Sequence, residues 1–314
     1  MLPNLRDTVI LWCAICAGLR LCCAQTLSPR AYVVVPVHSN AVTLSYSLSA
    51  GNVVFNDTLP VTDSSGRIGA ELVTYFHAFD CFGRSANVTL LMPYVVGHFQ
   101  GDEEGVHEEL YRSGLGAAAV RVSVNLFGAR AMNREEFSRW KQKTVLGASL
   151  IVQTPTGQYD GARLINTGEH RWSFKPELGF SQRWGHWLLD AYAAVWFFTP
   201  NDDFFSNAPG SNGPNRQTQE PMGAIEAHLS YDIKPRMWIS IDSNYWYGGK
   251  TSLNGVQSVT TLQRNSRLGA TAAIPVTKHQ SFKFSYSGGT YVSFGGNFQN
   301  VQAAWQYSWI GRPN

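Results

Sequence analysis

The chain has 314 residues, 44% apolar, 13% aromatic and only 15% charged, with a formal net charge of +3 at pH 7. Such a composition excludes a largely disordered chain, because apolar side chains are plentiful and charges few. A near-neutral balance without a Lys/Arg-rich patch offers nothing to a phosphate backbone, so no nucleic-acid partner is expected.

The N-terminus reads as a leader. Arg6 stands in a short polar start, an apolar run follows from Val9 to Leu19, and small residues allow cleavage after Ala24. The run is too short to cross a bilayer as a helix, which takes about 20 residues. A cleaved signal peptide over residues 1–24 is therefore expected. It contains Cys13, Cys16, Cys22 and Cys23, which leaves Cys81 alone in the exported chain and excludes an internal disulfide framework. Residues 25–40 hold YVVVPV, an apolar run stopped at Pro36, and read either as a lead-in or as a plug reaching into a lumen. Residues 41–314 read as one β-barrel.

From Ala41 onward the dominant period is two, the signature of β-strands. Ala41 to Ser49 sets Leu44, Tyr46 and Leu48 against Thr43, Ser45 and Ser47. Strands follow from Ile68 to Asp80 and from Ser85 to Val96, joined tightly at Phe82 and Gly83, although Pro93 removes a ladder donor from the second. Gly97 to Arg112, with its acidic run around His107, reads as a solvated loop. Leu115 to Phe127 is a strand, NREEFSRWK after it a short amphipathic helix, and Thr144 to Thr154 a strand again.

The clearest signal is the hairpin from Arg171 to Thr199, turning at Gly185 and His186. Its first arm puts Trp172, Phe174, Leu178 and Phe180 on one face and Arg171, Lys175, Glu177 and Arg183 on the other. Its second arm opposes Leu189, Ala191, Ala193, Val195 and Phe197 to Asp190, Tyr192 and Trp196. Pro176 in the middle predicts a bulge, since a closed barrel has no free edge for a missing donor. Trp184 and Trp187 are expected at one membrane interface, and Trp172, Phe197 and Phe198 at the other. After a polar loop from Pro200 to Gln219 come strands at Glu220 to Ile233 and Arg236 to Tyr247, with a turn at Lys234 and Pro235. The last strands read as Thr260 to Ile274, Ser281 to Ser287 and Asn300 to Ile310.

About twelve strands, several near the 9 to 11 residues that a tilted strand needs to cross a bilayer, point to an all-β transmembrane barrel, antiparallel and up-and-down, rather than a soluble sandwich. Long polar loops alternating with short turns point the same way. The polar faces then look inward. Candidate lumen-lining residues are Arg121, Arg171, Lys175, Glu177, Arg183, Asp190, Glu226, His228, Asp232, Arg236, Asp242, Arg267 and Lys283. They form either a constriction that selects solutes by size and field or a set of paired charges that stiffens the wall. The exported chain carries no HExxH or CxxC pairing, no metal or other cofactor is implied, and no catalytic residues are expected.

Four segments also resemble a known family: WKQKTVLGASLIVQTPTGQYD, INTGEHRWSFKPELGFSQRWGHWLLDAYAAVWFF, HLSYDIKPRMWISIDSNYWYGGKTSLNGV and FKFSYSGGTYVSFGGNFQNVQAAWQYSW. They are similar to the outer-membrane transporter family named for the meta-pathway of phenol degradation. The resemblance implies a barrel in the outer membrane of a Gram-negative bacterium, in contact with lipid, that takes up small hydrophobic or aromatic solutes passively. Two other readings stand beside it. A lipid-acting hydrolase would need a serine and a histidine facing lipid on neighbouring strands, and a structural or adhesive barrel would bind a partner through its outer loops.

Overall fold

The computed structural model describes residues 27–54, 61–103, 106–163, 165–205 and 214–311; the expected leader lies outside them. The strands are β1 (Ser39–Val54), β2 (Val61–Cys81), β3 (Arg84–Glu103), β4 (Val106–Leu115), β5 (Ala119–Phe127), β6 (Thr144–Gln153), β7 (Ser173–Trp184), β8 (Trp187–Phe198), β9 (Asn201–Phe204), β10 (Asn215–Gln219), β11 (Met222–Lys234), β12 (Met237–Gly248), β13 (Thr251–Leu253), β14 (Val256–Gln257), β15 (Gln263–Pro275), β16 (Gln280–Val292) and β17 (Gly295–Ile310). Among the described residues a short α-helix, α1 (Arg134–Arg139), lies between β5 and β6.

Twelve antiparallel strands close into a barrel, with β4 and β5 acting as one interrupted strand. Closure is made by the first and last strands, which pair from Ser39↔Ile310 to Val54↔Gly295. The small strands β9, β10, β13 and β14 form a separate sheet in the loops at one end, here the loop end. The opposite, turn end carries the tight connections at Phe82–Gly83 and Gly185–His186, as well as α1. Asn133 caps α1 in a capping box with Glu136, which satisfies donors that a six-residue helix cannot satisfy itself.

The two strand prolines are accommodated differently. Pro93 of β3 lies opposite the gap between Leu115 and Ala119, so its missing donor falls where the partner strand is already broken. A Cβ on Gly116 in that gap would come within 2.9 Å of the Pro93 ring. Pro176, by contrast, makes no bulge: Phe174↔Phe197 and Glu177↔Ala194 keep one register across it, and only the intervening pairs are lost from the ladder. The ring faces outward, and on its other side Pro176 stays in register with Leu150 of β6.

Two loops expected from the sequence are strands. The acidic stretch from Gly97 to Arg112 is the far end of the β3–β4 hairpin, paired from Tyr94↔Leu115 to Glu103↔Val106. The connection from β16 to β17 is likewise only Ser293 and Phe294. Strand pairing thus continues beyond the length needed to cross a bilayer, with polar residues replacing the apolar ones. The outward faces between the two ends carry exposed Leu44, Val73, Leu90, Leu178, Ile225, Ile241, Leu268, Phe284 and Val301, as lipid contact requires. Trp184 pairs with Trp187 and both are exposed at the turn end. Phe198 departs from expectation, since it faces inward against Trp196 while Trp172 and Phe197 face out.

A closed barrel predicts heat-modifiable mobility. Unboiled protein should run ahead of boiled protein in an SDS gel, and identical mobility would contradict closure.

Candidate functional site: the barrel interior

Residues 27–38 form a strap along the inside of the wall. His38 N–H donates to the Ala78 carbonyl and Val37 N–H to that of Met132, each at 2.8 Å. Val34 packs with Ala129, Met132 and Val145. The strap then reaches Tyr32, which is almost fully buried in mid-barrel. Gly147 and Gly179, cross-strand neighbours on β6 and β7, make its seat. A Cβ on either would stand 2.3 or 2.0 Å from the Tyr32 ring. Glycine inside a strand marks a close approach, and here that approach is the ring. The hydroxyl lies 3.1 Å from Ser149 Oγ and donates to Glu177 Oε1 at 3.0 Å. Arg121 closes over the ring at 4.9 Å and donates to the Ala31 carbonyl, while Ala31 N–H donates to the Tyr192 hydroxyl at 3.0 Å. Further on, Arg30 pairs with Asp232 at 2.7 Å and lies over the Trp238 ring. Leu27 reaches Gly269 on β15.

Beneath the strap runs a line of alternating charge whose residues come from four strands, β5, β7, β11 and β12. Arg121 of β5 meets Glu177 of β7 at 3.4 Å; Lys175 Nζ lies 2.9 Å from Glu177 and 3.1 Å from Glu226 of β11. Glu226 faces His228 at 3.6 Å, and His228 Nδ1 lies 2.9 Å from Asp242 of β12. Ser240 and Thr271 hydroxyls donate to the same Asp242 carboxylate at 2.9 and 2.7 Å. Each carboxylate thus has at least one cation or two hydroxyls, which is what makes buried charge tolerable.

The other sequence candidates are distributed around this line. Arg183 bonds Asp232, so Asp232 sits between two guanidiniums. Asp190 is buried under the strap. Arg171 pairs with Glu169 at 2.7 Å and lies over the Phe198 ring. Arg267 donates to Ser287 Oγ at 3.0 Å. Lys283 is half-buried on the inner face of β16. Arg236 is not in the lumen: it occupies the β11–β12 turn with φ +65°, and its guanidinium donates to the Thr277 and Lys278 carbonyls of the neighbouring turn. The alternation read from Arg236 onward held the face correctly but began one residue inside a turn.

The loop end carries a cluster of apolar side chains. Val53, Ile68, Val95, Phe99 and Phe298 pack with Ile165 from the β6–β7 loop. Beside them the Tyr159 hydroxyl donates to the Asp203 carbonyl at 3.0 Å and accepts from Asn201; burial raises its pKa, which keeps the phenol a donor. Among the described residues no group of three His, Cys, Asp or Glu is placed to hold a metal ion.

Arg30, Tyr32, Gly147 and Gly179 were not singled out in the sequence. The available signal was the apolar run around Tyr32 together with glycines at inward positions of β6 and β7.

These features define a twelve-stranded transmembrane β-barrel with an internal N-terminal strap. Residues 44–308 match the family described as "Putative MetA-pathway of phenol degradation", and the chain belongs to that family. An outer membrane channel from Pseudomonas putida F1 has the same fold, with a TM-score of 0.75 at 17% identity over 90% of this chain and 100% of that one. The transport unit of the autotransporter AIDA-I from Escherichia coli gives 0.49 at 9% identity, over 94% of this chain and 95% of that one. A search of curated proteins returned no match.

Tyr32→Ala removes a buried ring from its seat, a change that costs roughly 3 kcal/mol and corresponds to about a hundredfold in the docking equilibrium. Amide exchange at Ala31 should accelerate by about that factor while heat-modifiable mobility is retained. Gly179→Leu should do the same from the other side of the contact. Unchanged exchange in both variants would show that the strap does not depend on this seat.

Proposed function

We propose that the chain is an outer-membrane channel for passive uptake of small hydrophobic or aromatic solutes. Export would remove the leader over residues 1–24, lipid would surround the barrel, and the turn end would face the periplasm. Residues 25–40 would act as a lumenal strap and residues 41–314 as the barrel, with the inward charges lining its lumen and no catalytic step involved.

The observation that carries this reading is the unequal filling of the lumen. The inner residues of β7 from Ser173 to Ser181 and of β12 from Ser240 to Trp246 are all buried, whereas those of β1 from Thr43 to Ser49 remain half-buried. A barrel used only as a scaffold or adhesin has no need of an accessible inner face. Membership in a family named for phenol degradation supports an aromatic solute. The outward faces, apolar where they meet lipid, give a lipid-acting hydrolase no support.

Purified barrel is expected to give single-channel conductance in planar bilayers and to let proteoliposomes swell in small solutes. A folded, heat-modifiable barrel with neither conductance nor flux would contradict the channel reading.

A further inference from the structure

The accessible side of the lumen has its own chemistry. The strap's hydrogen bonds and ion pairs from Arg30 to Val37 go to the wall from β5 to β12 and to the segment carrying Met132. The opposite wall, β16, β17 and β1, is left with half-buried inner residues such as Thr43, Ser45, Ser285 and Gln302. These three strands contain no Asp, Glu or Arg, and Lys283 is their only charged residue.

Lys283 is held apart from any counter-charge by its neighbours. Its cross-strand partners are Ala273 on β15 and Ala304 on β17, and beyond Ala304 stands Ser45. Neither alanine can pair with an ammonium. Lys283 makes no ion pair or hydrogen bond with another described residue. Asp242, the carboxylate that acts on it electrostatically, is already engaged by His228, Ser240 and Thr271. Buried or half-buried ions are normally paired, and every other lumenal lysine or arginine described above has a polar partner.

The next strand turns apolar on the same level. Ser45 pairs with Leu72 of β2, three strand spacings from Lys283, or about 14 Å along the wall at about 4.8 Å per strand. Phe76 of β2 and Leu91 of β3 are also half-buried inward residues. Toward the loop end the same side continues into the cluster of Ile68, Val95, Phe99 and Phe298. The track therefore has an apolar edge, a hydroxyl and amide floor, and one ammonium.

We propose that this track selects amphipathic anions, aromatic or aliphatic monocarboxylates, with Lys283 meeting the carboxylate and Leu72, Phe76 and Leu91 the apolar body. The assignment rests on the channel reading above and narrows its solute class. A neutral aromatic would use the apolar edge alone. A cation would be repelled at Lys283, the single fixed charge on the open wall.

Reversal potentials in planar bilayers test the assignment, with the full chain under a steep KCl gradient and then with benzoate replacing chloride on one side. The wild type should favour chloride over potassium severalfold and carry benzoate. Lys283→Arg should keep that preference, Lys283→Gln should bring the anion-to-cation ratio down toward unity, and Lys283→Glu should invert it. Heat-modifiable mobility establishes that each variant is folded. Conductance with the same reversal potential in all four proteins, or a cation-selective wild type, would overturn the proposal and leave the channel reading intact. Absence of any conductance would remove both.

Discussion

The interior depends on the line of alternating charge from Arg121 through Glu177, Lys175, Glu226 and His228 to Asp242. A closed barrel of twelve strands brings inward side chains close together, and each ion taken from water costs several kcal/mol unless it is paired and hydrogen-bonded. The line meets that cost by placing opposite charges on adjacent inward positions. Glu177 is its centre, since it faces Arg121 and Lys175 and also accepts the Tyr32 hydroxyl. The same carboxylate therefore holds the wall together and holds the strap against it.

That double role makes the lumen two-sided. Where the wall is charged, the strap covers it with Tyr32 seated on Gly147 and Gly179 and Arg30 bound to Asp232. Where the wall is built of serine, threonine and glutamine, no hydrogen bond or ion pair from Arg30 to Val37 reaches it among the described residues. Charge thus determines which side of the lumen is filled. The remaining track is polar but uncharged except at Lys283.

Much of this was legible in the sequence because a two-residue period depends only on adjacent residues. The inward faces of β7, β8, β11 and β12 were read correctly, and so were the turn at Gly185 and the helix after β5. The errors have physical causes. The acidic residues from Asp102 to Glu109 resemble a loop because a hairpin outside the membrane has no apolar face to show. Pro176 suggested a bulge, but the register passes through it and only the pairs between Phe174 and Glu177 are lost. Arg236 alternates with the strand that follows, yet it sits in the turn itself. The strap was the least legible element, because the hydroxyl partners of Tyr32 lie more than a hundred residues away and only strand register brings Gly147 beside Gly179.

The central claim is that one wall of the lumen is sealed and the other open. Thiol accessibility tests it directly. In a background where Cys81 is replaced by serine, cysteine would be placed at Ser45 or Ser285 on the open wall and at Ser181 or Ser240 on the sealed one. A small water-soluble thiol reagent should label the first pair rapidly and the second pair slowly, with Ser181→Cys becoming reactive when Tyr32→Ala releases the strap. Equal labelling rates at all four positions would contradict the account.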